Sequence, residues 1–136
     1  MDQSTKPIPN HIPDFLDFCE VQKGLRENTQ KNYQHYLNKF TGWLKSRGLQ
    51  GLLPHQLTAQ HIWDYRLYLS RYQNPINKQI LKKSTQNYYL IALRAFLGYF
   101  VAKDIVSLPP DKIELPRADK SSKTVKFLNI DQIEKL

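Results

Sequence analysis

Between residues 28 and 48, large apolar side chains return every three to four positions: Tyr33, Tyr36 with Leu37, Phe40, then Trp43 with Leu44. That interval is the period of an α-helix with one buried face, and it excludes a strand, whose side chains alternate every two residues. Lys31, His35, Asn38, Lys39, Gly42 and Lys45 mark the other face. Asn28, with Thr29 behind it, has the short hydrogen-bonding side chain of an N-cap, and Gly48 suits the left-handed position just past a helix. An aromatic stripe of this length has to be buried against other elements.

Three more segments supply those elements. Ile12, Phe15, Leu16 and Cys19 lie at i, i+3, i+4 and i+7, so a helix is expected from Asn10 or His11, with Pro13 in its first turn and Gly24 at its end. Thr58 reads as the N-cap of a helix carrying Ile62, Tyr65, Leu69 and Tyr72, ended by Asn74-Pro75 because a residue before proline avoids the α region. Ser84 reads as the cap of a fourth helix, with Tyr89, Ala92, Leu93, Phe96, Leu97 and Phe100 on its apolar face. Loops are expected over 48–57 and over 74–83, the latter with Lys78, Lys82 and Lys83. Residues 1–9, polar with Pro7 and Pro9, are expected to be loose. Residues 10–108 then form one all-α, four-helix domain. Pro109-Pro110 and Pro116 forbid a longer helix, so 109–126 reads as a linker. Residues 127–136 read as an extended piece and the first turns of a helix, the opening of a further domain.

Several chemistries are excluded. The single cysteine, Cys19, allows no intrachain disulfide and no Cys-based metal cluster, which fits a reducing compartment. No apolar run approaches the roughly 18 residues of a spanning helix. Met1-Asp2-Gln3 lacks the order of a secretory signal, so a cytoplasmic location is expected. The glycines are scattered, HExxH and GxSxG are absent, and His11, His35, His55 and His61 fall in separate segments. No catalytic constellation, metal, cofactor or small-molecule ligand is expected.

Charge points to a partner. Residues 21–103 carry thirteen Lys and Arg against two acids, Glu27 and Asp64, for a net +11. Residues 1–20 are net −3, and residues 104–136 are neutral. A one-signed field of this kind suits a polyanion, and nucleic acid is the commonest. Two helix starts combine this charge with short hydrogen-bonding side chains: Arg26-Glu27-Asn28-Thr29-Gln30-Lys31-Asn32 and Lys82-Lys83-Ser84-Thr85-Gln86-Asn87-Tyr88. Free N–H groups and the helix dipole make such starts phosphate sites. Asn and Gln offer a donor beside an acceptor, the pattern that adenine presents in reverse.

At these residues the sequence resembles a known family. Gly24-Leu25-Arg26-Glu27-Asn28-Thr29 with Tyr33, Leu37, Phe40 and Trp43-Leu44 is similar to the first half of a tyrosine recombinase core-binding domain, of the phage integrase and Xer-like family. Ser84 to Phe96, ending Leu93-Arg94-Ala95-Phe96, resembles that domain's Thr-led last helix. Leu115-Pro116-Arg117 resembles the family's linker, and Leu128-Asn129-Ile130-Asp131-Gln132-Ile133 the opening of its catalytic domain. The resemblance covers residues 10–136.

It implies a four-helix, SAM-like orthogonal bundle forming half of a clamp around double-stranded DNA at a recombination half-site. The second and fourth helices cross the duplex near the major groove, and further protomers assemble on the DNA. It implies no metal or nucleotide, because a catalytic-domain tyrosine forms a 3′-phosphotyrosyl link. Carried onto this chain, the DNA-contact candidates are Asn28, Thr29, Lys31, Asn32, Lys39, Lys82, Lys83, Ser84, Thr85, Asn87, Tyr88 and Arg94, with Arg117 and Lys120 following the backbone along the linker. The chain departs from the pattern in Tyr88-Tyr89, where the family often has basic residues, and in a longer loop from Asn74 to Lys83. It ends before the family's catalytic residues, so it reads as an N-terminal fragment, and none of its eight Tyr is expected to be the nucleophile.

Two other readings share the helices. A helical transcription regulator would place a recognition helix after a turn of three or four residues, whereas about ten separate the helices here. A helical protein-interaction module needs an exposed apolar patch and leaves the one-signed charge unexplained.

Overall fold

The structure, a computed structural model, describes residues 2–24 and 26–115. It contains four α-helices: α1 (Ile12–Lys23), α2 (Glu27–Ser46), α3 (Ala59–Arg71) and α4 (Lys83–Ala102). Among the described residues there is no strand, only isolated bridges between Asp2 and Ile105 and between Gln73 and Ile80. The fold is the expected all-α, four-helix one. No helix of the described residues is long and apolar enough to cross a membrane.

The apolar stripes meet as their periods require. α2 packs mainly on α4, α1 lies across both, and α3 closes the α4 side. Phe15 of α1 joins three elements' rings, with centroids 5.6 Å from Tyr33, 5.2 Å from Phe96 and 5.8 Å from Tyr99. Tyr65 of α3 sits 5.0 Å from Phe40 and 5.3 Å from Trp43 of α2. Ring pairs at such distances add to the burial of apolar area that drives the assembly.

The helix ends show which local rules operated. Gly24 closes α1 in the left-handed region (φ 62°). After α2, the Gly48 N–H donates to Lys45 O and the Leu49 N–H to Leu44 O, the paired bonds of a Schellman end, with Gly48 at φ 70°. α4 ends the same way on Asp104, at φ 57°. Thr58 caps α3 as expected: its Oγ1 accepts from the His61 N–H, and its own N–H donates to His61 Nδ1.

The expected caps of α2 and α4 are corrected. Arg26 and Lys82 hold the extended N-cap positions, without side-chain capping bonds, and Asn28 and Ser84 lie inside the first turn as second helical residues. Both starts lie at the surface, with Glu27, Asn28, Lys83 and Ser84 exposed, so water can satisfy their N–H groups and no side-chain oxygen is required. Other interactions support the earlier starts: Glu27 places a carboxylate at the positive end of α2, and Gln86 Nε2 reaches back to Leu81 O before α4. α3 also stops early, at Arg71, with Tyr72 extended, three residues ahead of Pro75.

The two ends of the chain are more integrated than their composition suggests. Residues 2–9 are tied down. The Asp2 N–H donates to Asp104 O and the Ile8 N–H to Leu52 O, and Ile8 is buried at the start of a 3-10 turn, Ile8–His11. The linker expected from 109 does not begin there. A 3-10 turn at Pro110–Lys112 leads Ile113 into the core, and Arg66 Nη1 donates to Glu114 O at 2.6 Å. In both places one aliphatic side chain among prolines finds a core slot, and its burial outweighs the polar surroundings. The expected extended piece and helix opening at 127–136, and the linker beyond 115, lie outside the described residues.

Tyr65 is 0% exposed, and its hydroxyl meets no hydrogen-bond partner among the described residues. Burial accordingly pushes its phenol far up. A buried, unbonded hydroxyl is a cost that the isosteric ring without it avoids. Tyr65→Phe is therefore expected to raise stability by about 1 kcal/mol, read as a higher midpoint in denaturant. A decrease of that size would mean that the hydroxyl is bonded in solution.

Candidate nucleic-acid interface

The fold sorts the charge spatially. Asp14, Asp17 and Glu20 are exposed on α1, while α2, α3 and α4 carry the basic stretch. The two acids of that stretch are both offset. Glu27 pairs with Lys31 at 3.5 Å, and Asp64 pairs with Arg47 at 3.8 Å and accepts from Gln60 at 2.9 Å.

On α2, Asn28, Asn32, His35 and Lys39 are spaced four, three and four apart, which puts them on one stripe. Asn28, Lys31, Asn32 and His35 are exposed, whereas Thr29 is half-buried. Lys39 is engaged within the fold: its Nζ stands 3.2 Å from the centroid of the Tyr72 ring and 5.9 Å from that of Tyr68, a cation–π arrangement from α2 to the end of α3.

The stripe runs toward α4. Tyr36 stacks on Tyr88 with centroids 6.2 Å apart and planes at 15°, and meets Tyr89 edge-on at 5.1 Å. Tyr89 is core, as its place on the apolar face predicts, while Tyr88 remains 53% exposed. Burial raises the Tyr68 and Tyr89 phenols above their ordinary value, so both stay neutral donors.

The α4 candidates divide between two sides. Ser84 and Tyr88, four apart, follow the side that meets α2. Lys83 and Asn87 instead line a groove against α3, together with Trp63, Arg66, Ser70 and Leu90. Arg94, seven residues past Asn87, is exposed on the same stripe. Lys82 is exposed at the N-cap, and Thr85 is half-buried. Arg117 and Lys120 lie outside the described residues. The structure thus joins the middle of α2 to the start of α4 through the Tyr36–Tyr88 stack. It leaves the first turn of α2 about 12 Å up its helix, at a rise of about 1.5 Å per residue.

Tyr36 and Tyr72 were not among the expected candidates, and the structure sets them against two that were, Tyr88 and Lys39. A signal for the second was present: Tyr65, Tyr68 and Tyr72 recur at helical spacing, and their rings form a ladder with steps of 6.2 and 5.8 Å.

A four-helix domain with this charge division fits the integrase class, and comparison with known proteins bears that out. The family model described as "Phage integrase, N-terminal SAM-like domain" matches residues 12–107, and the chain belongs to that family. Among curated proteins it is similar to tyrosine recombinase XerD of Listeria innocua, 32% identical over 127 residues, covering 92% of this chain and 39% of the relative. XerD of Pseudomonas aeruginosa is 29% identical over 112 residues, covering 80% and 34%. The chain therefore spans under two fifths of the length of these relatives. A solved N-terminal domain of a phage integrase/site-specific recombinase from Haloarcula marismortui superposes with a TM-score of 0.66 at 16% identity, over 84% of this chain and all of that one, a likeness of fold.

Proposed function

We propose that this chain is the DNA-binding, core-binding part of a site-specific tyrosine recombinase, and that its α2 and α4 surfaces lie along double-stranded DNA at a recombination half-site. The observation that carries this reading is the charge division: the exposed acids Asp14, Asp17 and Glu20 lie together on α1, both acids within the +11 stretch are ion-paired, and the remaining acids fall before residue 21 or after residue 103. Duplex DNA is a dense line of negative charge, and a surface cleared of free carboxylates is what it requires. In this reading the body extends to Leu115, the segment after it leads to the catalytic domain, and residues 127–136 open that domain. The phosphotyrosyl chemistry and the assembly of protomers belong to the whole recombinase, and this chain contributes grip and register by holding phosphates.

Titration of a labelled mixed-sequence duplex by fluorescence anisotropy tests the reading. With roughly five phosphates neutralised, affinity should fall several hundredfold between about 50 and 200 mM salt. No binding at the lower salt, or an affinity indifferent to salt, would sink it.

A further inference from the structure

The loop between α3 and α4 is built as a separate small structure. Gln73 and Ile80 form an antiparallel bridge at its neck, the Asn74 N–H donates to Gln79 O at 2.9 Å, and the Lys78 N–H donates to Asn74 O at 2.8 Å. Inside the turn, Asn74 Oδ1 accepts from the Ile76 and Asn77 N–H groups, and Asn77 Oδ1 accepts from the Gln79 N–H. These bonds hold the loop's shape from within, and its apolar side chains point outward: Ile76 is 91% exposed and Ile80 62%.

Two features indicate a partner. Lys78 sits at φ 62°, a left-handed conformation that glycine adopts freely and lysine does not. The Lys78 N–H bond to Asn74 O holds the residue in that conformation, and its charged side chain is left exposed. The loop is also flanked by Arg71, Lys82 and Lys83, and no acid occurs between Asp64 and Asp104. Closed at its neck by a single bridge, this eight-residue loop is a small element for which a DNA major groove, about 12 Å wide, has room.

We propose that the 73–80 loop is a second DNA-binding element, separate from the α2 and α4 helix starts, in which Lys78 meets a backbone phosphate and Ile76 packs on base edges. The proposal rests on the DNA-binding reading above, and it assigns a role to residues outside the helical candidates. A protein partner for Ile76 is the competing occupant, but the one-signed charge around the loop favours the polyanion.

Lys78→Gly separates folding from binding, because glycine relieves the backbone while removing the charge. The full 136-residue chain and its Lys78→Gly and Ile76→Ala variants are titrated against a mixed-sequence duplex over a series of salt concentrations. Lys78→Gly is expected to melt no lower than the parent, to weaken binding about tenfold near 0.1 M salt, and to reduce the salt slope by about one. Ile76→Ala is expected to weaken binding at unchanged slope. An unaltered slope in Lys78→Gly, with the parent binding steeply, overturns the role of the loop and leaves the DNA reading standing. Absence of binding by the parent overturns both. Self-association of the parent in sedimentation that Ile76→Ala abolishes, with DNA affinity unchanged, reassigns the loop to a protein partner and overturns the proposal.

Discussion

Phe96→Ala is expected to remove roughly 3–5 kcal/mol of stability, much of what holds a domain of this size together. Phe96 is fully buried, and its ring lies 5.2 Å from Phe15, 4.8 Å from Phe100 and 6.4 Å from Tyr99. It is the point where α1 is seated on α4. Truncation forfeits the transfer energy of the ring and leaves a cavity that rigid aromatic neighbours cannot collapse to fill. The thermal melt followed in the far ultraviolet should shift down by roughly 10–20 °C, at about 4 °C per kcal/mol for a chain of this length. Phe96→Leu, which keeps most of the volume, should cost under about 1.5 kcal/mol. A drop below about 1 kcal/mol for the alanine variant would mean that α1 does not rest on Phe96 in solution.

The apolar periods identified this core because Ile12, Phe15 and Cys19, or Leu93, Phe96 and Phe100, can share a face only on a helix, and each of them is buried. The same logic failed where a single side chain decided the outcome. Ile113 has no periodic neighbours, and Ile8, although four residues before Ile12, stands between Pro7 and Pro9, so a loop reading prevails for both until the body offers a slot. Asn28 and Ser84 have capping chemistry, but propensity names a residue type and not the first residue of a helix. Helix starts at the surface let Arg26 and Lys82 take the cap without any side-chain bond.

For the candidate site, charge sign was legible because it needs only counting. Partners were not: spacing placed Tyr36 and Lys39 on α2 but could not say that one meets Tyr88 and the other Tyr72, since that depends on how helices cross. The division of α4 into an α2-facing and an α3-facing side has the same origin. So does the integration of Lys39, whose removal should disturb packing as well as charge.

That distinction governs the choice of residues in the variant expected to change DNA binding most. Lys31→Ala, Lys83→Ala and Arg94→Ala combined remove three exposed charges from the start of α2, the first turn of α4 and the middle of α4. None is in the core, and the Lys31–Glu27 pair is an exposed one that contributes little to stability. Folding should be nearly unchanged, with a melting temperature within a few degrees of the parent. Binding should not. Each phosphate left without its cation lowers the salt slope by about 0.9, so the triple variant should show a slope nearly three units shallower and an affinity roughly a hundredfold to a thousandfold weaker near 0.1 M salt. The effect should be equal for unrelated duplex sequences, because a bond to phosphate carries no base information. Single variants should divide it: Lys83→Ala and Arg94→Ala each delete one cation outright, whereas Lys31→Ala also frees Glu27 at the N-terminal end of α2 and should cost more than its slope implies. A triple variant that keeps the parent's steep slope would place the duplex on another face of the domain.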